Sequence, residues 1–240
     1  HAVYSSHTHR PFDFAQDLPQ EIAQTKYMLS IVATPIGNLG DITLRAIETL
    51  KKCDAIVCED TRVTGSLLKA LDIPKKELIS CHGYTDDKKI DRIIERLEAG
   101  EHLVLVSDAG TPGISDPGYK IVSRLQDQKM EALPGPSAFL AALSVSGLPI
   151  NQFVYIGFPP LKKGRQTLFQ SFAEEERTIV LYESVHRIEK TLHEIANALA
   201  DQPDRKVVVG RELTKMHEEV VHSTVKDLSQ TATNITKKGE

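Results

Sequence analysis

The sequence predicts an α/β protein of two domains, with a largely parallel sheet in the first half. Short apolar runs alternate with amphipathic segments from Leu29 onward, which is the pattern of repeated strand–helix units. Glycine- and proline-rich loops follow several of these runs directly. A chain of 240 residues, 40% of them hydrophobic and 26% charged, can bury one large or two modest cores.

In the first half we expect five strands and five helices in alternation. The clearest helix covers residues 86–99, where apolar residues from Ile90 to Leu97 recur with helical spacing and Gly100 follows as a cap. The predicted strands are Leu29–Thr34, Ala55–Cys58, Leu78–Cys81, Leu103–Val106 and Met130–Leu133. The other predicted helices carry apolar stripes at Leu44, Ile47 and Leu50, at Leu67, Leu68 and Leu71, and at Phe139, Leu140 and Leu143, and one more ends near Gln126.

The second half repeats this alternation after a break at Gly147–Asn151. Glycine, proline and asparagine punctuate the chain there, and a fresh strand follows. We therefore expect a tail at residues 1–27, a first domain over residues 28–147 and a second over 148–240. The predicted strands of the second domain are Phe153–Ile156, Thr178–Tyr182, Lys206–Val209 and the start of Val220–Leu228, and its predicted helices cover 164–174 and Val185–Leu199.

The composition disfavours several classes of function. The net charge is -4 and the isoelectric point is about 6.2, whereas nucleic-acid-binding domains are usually basic, so any RNA contact needs a local patch. No apolar run approaches the roughly 20 residues that span a bilayer, and we expect a cytoplasmic protein without membrane contact. Cys53, Cys58 and Cys81 lack the paired spacing of a zinc site, which predicts buried reduced thiols and no metal.

The most informative segment is the loop from Ser107 to Gly118. It directly follows the apolar run Leu103–Val106, so it leaves the carboxyl end of a predicted strand, where α/β sheets place their ligands. Ordinary connections in such units need about 2–6 residues. A longer loop with three glycines, two prolines and two aspartates therefore favours a ligand site over an elaborate surface connection.

Three other glycine- or proline-rich loops also follow predicted strands, at Pro35–Asp41, Pro134–Ala138 and Gly157–Pro160. Parallel strands end at the same edge of a sheet, so we expect all four loops to converge on one crevice. Neither a dinucleotide-binding G-x-G-x-x-G nor a phosphate-binding G-x-x-x-x-G-K-[ST] pattern occurs, which disfavours a pyrophosphate ligand.

The two aspartates of the long loop, Asp108 and Asp116, suit a ligand with an amine, a ribose or a positive centre. Carboxylates accept hydrogen bonds, and the loop amides donate them. S-adenosylmethionine presents all three groups. For Asp41 two interpretations stay open: a ligand contact, or the N-cap of the helix that follows.

Six segments occur in a fixed order along the chain. They are Val32–Thr43, Cys58–Arg62, Ser107–Gly118, Pro134–Ala138, Tyr182–Ser184 with His186 and Arg187, and Arg211–Lys215. Together they resemble the ribosomal RNA small-subunit methyltransferase I family of the tetrapyrrole methylase superfamily. Each segment alone is a weak signal, whereas their joint occurrence in this order is specific. The similarity covers nearly the whole chain from Met28 on.

The resemblance implies a fold, a cofactor and a reaction. The fold would be the two-domain tetrapyrrole methylase-like fold of class III methyltransferases, with a mainly parallel sheet in the N-terminal domain and a mixed sheet in the C-terminal domain. S-adenosylmethionine would lie between the domains of a homodimer and leave as S-adenosylhomocysteine. The substrate would be the ribose 2′-hydroxyl of a cytidine in the decoding region of small-subunit ribosomal RNA. The family continues into a further apolar strand, which implies that the second domain lacks its last strand.

The superfamily's pattern also implies which residues contact the cofactor. They come from the four loops that follow predicted strands. The implied contacts are Pro35, Gly37, Asn38 and Asp41, then Asp108, Ala109, Gly110 and Thr111, then Ser137 and Ala138, and finally Phe158.

The reaction also needs a base, because a ribose hydroxyl must lose its proton when it takes up a methyl group. Glu183 and His186 follow a predicted strand three residues apart and can face one opening, while Asp116 lies in the long loop. These three are the catalytic candidates, with Asp108 as a fourth. His186 and Arg187 can equally bind phosphate at the start of a helix.

A local basic patch is present at Lys162, Lys163 and Arg165. With Arg187 and Arg62, these residues are the predicted RNA contacts, and the small ribosomal subunit or its RNA is the predicted partner. Two other functions are compatible with the sequence. One is a methylase of small tetrapyrroles, which requires a large apolar cleft, and the other is a nucleoside- or RNA-binding module without turnover.

Overall fold

Strands and helices alternate along the chain, as the sequence predicts. The computed structural model describes residues 29–83, 85–114, 118–125, 129–235 and 239; the predicted tail at 1–27 and the catalytic candidate Asp116 lie outside these ranges. The strands are β1 Leu29–Val32, β2 Ala55–Cys58, β3 Glu77–Ser80, β4 Leu103–Leu105, β5 Met130–Leu133, β6 Phe153–Gly157, β7 Thr178–Leu181, β8 Lys206–Arg211 and β9 Glu219–Thr224. The helices are α1 Leu44–Lys52, α2 Thr61–Ala70, α3 Asp87–Glu98, α4 Tyr119–Val122, α5 Ala138–Ser146, α6 Arg165–Ser171, α7 Ile188–Ala198 and α8 Leu228–Asn234, with short 3-10 helices at Leu39–Asp41 and Val225–Asp227.

The first half forms a five-stranded sheet in the order β3-β2-β4-β1-β5, and every neighbouring pair is parallel. The predicted parallel sheet is therefore confirmed. Side chains of successive residues point to opposite faces of a strand. Val57 accordingly shares a buried cluster with Ile90 of α3, while Ile56 shares another with Leu50 of α1. Helices thus cover both faces, as is usual for a parallel sheet.

The second half contains two separate two-stranded sheets. β6 pairs with β7 in parallel, and β8 pairs with β9 antiparallel. The two pairs together have the predicted mixed character, although no ladder of hydrogen bonds joins them among the described residues. Helices α6, α7 and α8 supply the core of this half around Phe169, Leu192 and Leu228.

Helix α7 begins three residues later than the sequence predicts. The expected start was Val185, but the amides of Arg187 and Ile188 both donate to the Ser184 carbonyl oxygen, so this stretch forms a turn. The turn leaves the residues after β7 outside the helix, next to the end of the strand. Two catalytic candidates, Glu183 and His186, lie in it.

Two other helices differ from the prediction. The helix expected to end near Gln126 is described only over Tyr119–Val122. Helix α8 was not predicted, because its buried residues are only Leu228 and Ala232 and its other residues are mostly poor helix formers. In the parts of the chain that the structure describes, no helix combines the length and apolar character that a membrane crossing requires.

The three cysteines are buried free thiols, as the sequence predicts. Burial raises the pKa of the Cys53 thiol to about 11, and burial also raises the pKa of Cys58. Both thiols therefore stay protonated at neutral pH and pack as small apolar residues.

Candidate active site

All four predicted loops meet in one cavity beside the carboxyl edge of the first sheet. The cavity has a volume of about 1250 Å³ and extends into the second half of the chain. Its lining includes Ile36 of the first loop, Asp108 of the second, Ser137 of the third and Phe158 of the fourth. The convergence that follows from the direction of parallel strands is thus confirmed.

Hydrogen bonds tie the first three loops together. The Thr34 amide donates to the Gly110 carbonyl oxygen and the Gly110 amide donates back to Thr34, both at 3.0 Å. The Thr111 hydroxyl donates to the Pro136 carbonyl oxygen at 3.1 Å. The loop after β4 is therefore held by the loops after β1 and β5, so contacts within the protein define this wall of the cavity.

Two glycines allow the loops to approach each other closely. Gly110 has a φ of 82°, which glycine adopts without strain, and a Cβ there would lie 3.4 Å from Ile36 Cγ2. A Cβ at Gly135 would lie 2.9 Å from the Cβ of Ala33, so a larger residue would push the two loops apart. The narrow cradle depends on both glycines.

Asp108 lies half-buried in the cavity wall. Its Oδ1 accepts a hydrogen bond from the Asp60 amide at 3.0 Å, which anchors the start of α2 to the loop after β4. A carboxylate has lone pairs for several donors. Asp108 can therefore brace the loop and bind a ligand amine or hydroxyl at the same time.

The loop after β1 is closed by its own side chains. Asn38 Oδ1 accepts from the Gly40 amide at 3.0 Å and caps the short helix Leu39–Asp41. The N-cap of α1 is Thr43, whose hydroxyl oxygen accepts from the Ala46 amide at 3.1 Å. The N-cap interpretation of Asp41 is therefore wrong, and its exposed carboxylate stays a candidate ligand contact.

The amino end of α5 lines the cavity. Ser137 is the N-cap, and its side chain makes no capping hydrogen bond to a described residue. The Phe139 amide donates to the Tyr182 hydroxyl oxygen at 3.2 Å, which joins the two halves of the chain. Burial raises the pKa of Tyr182, so this phenol stays protonated near neutral pH. The Ser137 hydroxyl and the first amides of α5 are donors that a polar ligand group can use.

Aromatic side chains from both halves cluster beside this helix end. The ring centroids of Phe158 and Tyr182 are 5.5 Å apart, and those of Phe139 and Tyr155 are 4.8 Å apart. Phe158 is still 55% exposed, so one face of its ring can pack against a planar ligand. The cluster therefore suits the base of a nucleoside.

Glu183 lies in a buried ionic network at the end of β7. Its side chain is 1% exposed, and its carboxylate lies 2.7 Å from Arg187 and 3.4 Å from Arg165. The Thr191 hydroxyl and the Ser184 amide donate to the same carboxylate. Burial alone would raise the pKa of Glu183, but these donors and the two positive charges outweigh burial and lower it. A carboxylate held in this way is a weak proton acceptor.

Arg165 belongs to this network and not to the exposed patch that the sequence predicts. Its side chain is 6% exposed, donates to Glu194 at 2.7 Å and to the Pro160 carbonyl oxygen at 3.1 Å, and lies over the Phe169 ring. It is the first residue of α6, and packing of that helix turns the guanidinium inward. The RNA contact predicted for Arg165 is therefore corrected, because a buried guanidinium with these partners cannot reach a phosphate.

The neighbouring predicted contacts remain at the surface. Lys162 and Lys163 are exposed just before α6. His186 is exposed and lines the cavity, and Arg187 is partly exposed at the start of α7. His186 is thus accessible from the cavity, whereas the carboxylate of Glu183 is engaged by Arg165 and Arg187.

Arg62 lies at the start of α2, and 89% of its side chain is exposed. Its guanidinium is 2.6 Å from the Asp60 carboxylate, and the hydrogen bond from Arg62 lowers the pKa of Asp60 to about 2. The Asp60 amide is bonded to Asp108. Arg62 therefore presents a positive charge close to the cavity wall.

Residues 28–229 match the sequence model of the tetrapyrrole (corrin/porphyrin) methylases. The chain belongs to that family. Two relatives are each named ribosomal RNA small subunit methyltransferase I. The one from Synechocystis sp. is 45% identical over 216 residues, which cover 89% of this chain and 76% of the relative. The one from Xylella fastidiosa is 46% identical over 209 residues, which cover 86% and 76%.

A solved structure has the same fold. It is the uroporphyrin-III-C-methyltransferase from Thermus thermophilus, which matches with a TM-score of 0.57 at 18% identity over 87% of this chain and 90% of that chain. The predicted tetrapyrrole methylase-like fold is confirmed. The much higher identity to the two named relatives places the chain in the small-subunit methyltransferase I branch of the family.

The cavity of this family member fits a nucleoside cofactor with a positive centre. Asp108 offers carboxylate oxygens, while Ser137 and the start of α5 offer donors. Phe158 offers an exposed aromatic face. Gly110 and Gly135 let the loops that carry these groups pack together without a Cβ between them.

Three residues that shape the site have no role assigned to them from the sequence: Thr34, Tyr182 and Thr191. Thr34 and Tyr182 lie just past the ends of β1 and β7, so the rule that selected the loops could also have selected them. Thr191 lies inside α7, and its bonds to Glu183 and Arg165 depend on packing that no local pattern shows.

Proposed function

We propose that this protein methylates the ribose 2′-hydroxyl of a cytidine in the decoding region of small-subunit ribosomal RNA. It is a methyltransferase of the tetrapyrrole methylase family, and its methyl donor is S-adenosylmethionine. The reaction breaks the bond between the methyl carbon and the sulfonium and forms a bond to the ribose oxygen. The hydroxyl proton passes to a base, and S-adenosylhomocysteine is released.

One observation carries this proposal: loops from four strands form a single cavity in a chain that is 45% identical to a ribosomal RNA small subunit methyltransferase I. Methyl transfer is a displacement in line, and correct placement of two reactants can supply about 7–11 kcal/mol of the barrier reduction. The cavity of about 1250 Å³ exceeds the usual range of roughly 300–1,000 Å³ for a small-molecule site. Part of this volume lies against core residues of the second half, such as Leu192 and Leu199, and the four loops border the remainder.

We assign the cofactor to the wall made by the first three loops and Phe158. S-adenosylmethionine supplies an electrophilic methyl group when it is bound there. Asp108 accepts hydrogen bonds from an amine or from ribose hydroxyls, and Ser137 with the Ala138 amide donates to acceptor groups. Phe158 packs against a base. Ala109, Gly110 and Thr111 also line this wall, whereas Pro35, Gly37, Asn38 and Asp41 of the first loop lie outside the cavity lining and stay predicted contacts.

Among the catalytic candidates, His186 is the residue we assign as the base. It is exposed and lines the cavity, and an imidazole nitrogen is a common acceptor for the proton of a reacting hydroxyl. Glu183 accepts from the Ser184 amide and pairs with Arg187, so it fixes the turn that carries His186. Glu183 is therefore assigned as a positioning residue. Asp116 stays a prediction.

Four exposed or partly exposed cations are the proposed phosphate contacts: Lys162, Lys163, Arg187 and Arg62. Contacts of this kind fix the register of an RNA without reading its sequence. The partner would be the small ribosomal subunit or its RNA, in the cytoplasm. The homodimer that the family resemblance implies is part of the same proposal.

Transfer of a labelled methyl group to small ribosomal subunits that lack the modification tests this function. We expect incorporation at a single cytidine, and alkaline cleavage should stop at that position because methylation removes the 2′-hydroxyl nucleophile. Asp108→Ala should reduce incorporation to near background. Asp201→Ala, on the exposed turn after α7, is the matched control and should retain it. A folded protein that binds the cofactor but transfers nothing to subunits or their RNA would contradict the proposal.

The size of the cavity is also compatible with a second candidate function, that of a methylase of small tetrapyrroles. Methyl transfer to a porphyrinogen, with none to the ribosomal subunit, would favour it. Binding of both cofactor and RNA without transfer to any acceptor would favour a module without turnover. One set of labelled acceptors therefore separates the three functions.

A further inference from the structure

Lys215 of the second half lies across Gly37 in the loop after β1. A Cβ placed on Gly37 would be 2.4 Å from Lys215 Cγ and 2.8 Å from its Cε, so a side chain at position 37 would displace the lysine. Lys215 lines the cavity, and so does Ile36, the neighbour of Gly37. The contact joins the segment after β8 to the first loop of the proposed cofactor wall.

The segment that carries Lys215 has a strained backbone. Glu212 and Thr214 have φ values of 52° and 68°, which residues other than glycine rarely adopt, and a β-branched residue least of all. The Thr214 hydroxyl is buried and has no hydrogen-bond partner among the described residues. Strain of this kind persists where the surrounding structure enforces it, and it concentrates at functional sites.

Polar contacts within the segment stabilise this conformation, among them hydrogen bonds from the Lys215 amide to Glu212 and from the Glu218 amide to Lys215. The Thr214 amide donates to the Glu218 carboxylate at 2.6 Å. Lys215 Nζ lies 3.0 Å from Glu212 Oε1, so the end of the lysine is tied back to its own segment. The methylene groups of Lys215 therefore lie over Gly37.

We propose that Lys215 is a positioning residue that sets the shape of the cofactor loop Pro35–Asp41 through its aliphatic stem. This inference rests on the proposed cofactor wall. The stem makes the contact, since the lysine atoms nearest to the Cβ position of Gly37 are Cγ, Cε and Cδ. The second half, which carries three of the four proposed RNA contacts, thereby influences cofactor affinity through a residue that need not touch the cofactor.

Loss of the stem would free the loop to adopt other conformations. Apparent affinity then falls in proportion to the fraction of molecules whose loop is competent to bind. An unbranched apolar side chain of similar length would still cover Gly37. Lys215→Met therefore separates the stem from the charge, whereas Lys215→Ala removes both.

Calorimetric binding of S-adenosylhomocysteine to the full chain tests the inference. Lys215→Ala should weaken binding by about fivefold or more, and Lys215→Met should stay within about twofold of the parent. In methyl-transfer assays, Lys215→Ala should raise the KM for the cofactor while kcat at saturation changes little. Lys51→Ala, an exposed lysine at the end of α1, is the matched control and should change neither quantity.

A double substitution checks that the contact itself is responsible. Gly37→Ala alone should weaken cofactor binding, because the new methyl group displaces Lys215 and because the φ of 154° at this position disfavours any side chain. In a Lys215→Ala background, Gly37→Ala should reduce cofactor affinity by a smaller factor, since the side chain that the methyl group would displace is absent. Additive effects of the two changes would overturn the inference.

Other outcomes separate this inference from the proposed cofactor wall. If Asp108→Asn weakens binding while Lys215→Ala does not, the wall stands and the role of Lys215 is overturned. If Lys215→Met weakens binding as much as Lys215→Ala, the ammonium group is what matters and the stem is not. If neither the Asp108 nor the Lys215 variant changes affinity, the cofactor wall fails and the inference fails with it.

Discussion

The sheet of the first half and the two sheets of the second half are built differently. Every residue of β2 and β4 is buried, and apolar clusters cover both faces of that sheet. The residues of β7 are all half-buried, and those of β8 are half-buried or exposed. The cavity lies against both of these strands, and its lining includes every residue of Thr178–Leu181 and of Lys206–Gly210.

The difference indicates which wall of the site is rigid. In the first half, apolar packing on both faces of the sheet fixes the strands, and the strand ends in turn fix the positions of the loops that follow them. In the second half, an ionic network around Glu183 holds the end of β7. We therefore expect the cofactor wall to be formed in advance and the wall that carries His186 to adjust when RNA binds.

The same comparison bears on the strand edges of the second half. Among the described residues, β7 pairs only with β6 and β8 only with β9, and both strands border the cavity. An unpaired strand edge is a template for another strand. The edges of β7 and β8 that border the cavity are therefore less constrained than the edges of the inner strands of the first sheet.

The largest expected effect concerns the ionic network. Glu183→Ala should lower the free energy of unfolding by about 3–5 kcal/mol, because it leaves the buried Arg165 without a partner charge on that side. Urea unfolding measures the change. Glu175→Ala removes the carboxylate that pairs with the exposed Arg177 and should change stability little. Equal effects of the two substitutions would show that the network does not hold the second half.

A matched pair of valines compares the packing of the two halves. Val57 in β2 is fully buried, whereas Val180 in β7 is half-buried against the cavity. Val57→Ala should lower the free energy of unfolding by about 2–3 kcal/mol, and Val180→Ala by less than about 1 kcal/mol. Denaturant midpoints at an unchanged slope give both values. A loss at Val180 as large as that at Val57 would mean that the second half is packed as tightly as the first.

The sequence predicts the first half better than the second, for a physical reason. Buried parallel strands are short apolar runs, so Ala55–Cys58 can be read from the sequence, and the meeting of the loops follows from strand direction. The buried role of Arg165 cannot be read in this way. Its neighbours Lys162 and Lys163 are exposed, and only the packing of α6 turns the arginine inward. The contact of Lys215 with Gly37 is likewise purely tertiary.

We expect a smaller effect of pH on the free energy of unfolding, which arises from His102 in the first half. His102 Nε2 lies 2.8 Å from Ser30 Oγ, and the Ser30 hydroxyl donates to Glu131, so Nε2 carries a proton and donates to Ser30. Burial lowers the pKa of His102, although Glu131 and Asp54 oppose this. The unfolded chain therefore binds a proton more readily than the folded one. Stability should fall as the pH drops below about 6.5, by at most about 1.4 kcal/mol per pH unit.

Urea midpoints measured on both sides of that pH check the effect. His102→Gln should lose this part of the slope, because glutamine does not titrate. His222→Gln, at an exposed position of β9, is the matched control and should retain it. Identical slopes in the parent and the His102 variant would remove His102 as the cause.

The smallest and most local difference should appear in amide hydrogen exchange along the strands. β4 has a hydrogen-bonded neighbour on each side, so its amides should all exchange slowly. β8 pairs with β9 in an unbroken register from Lys206 to Arg211, so every second amide of β8 points away from its partner. Protection along β8 should therefore alternate with a period of two residues. Uniform protection would mean that another segment covers this edge of β8. If the protection weakens on dilution, that segment belongs to a second copy of the chain. If the protection does not change on dilution, the segment belongs to the same chain and the edge is not open.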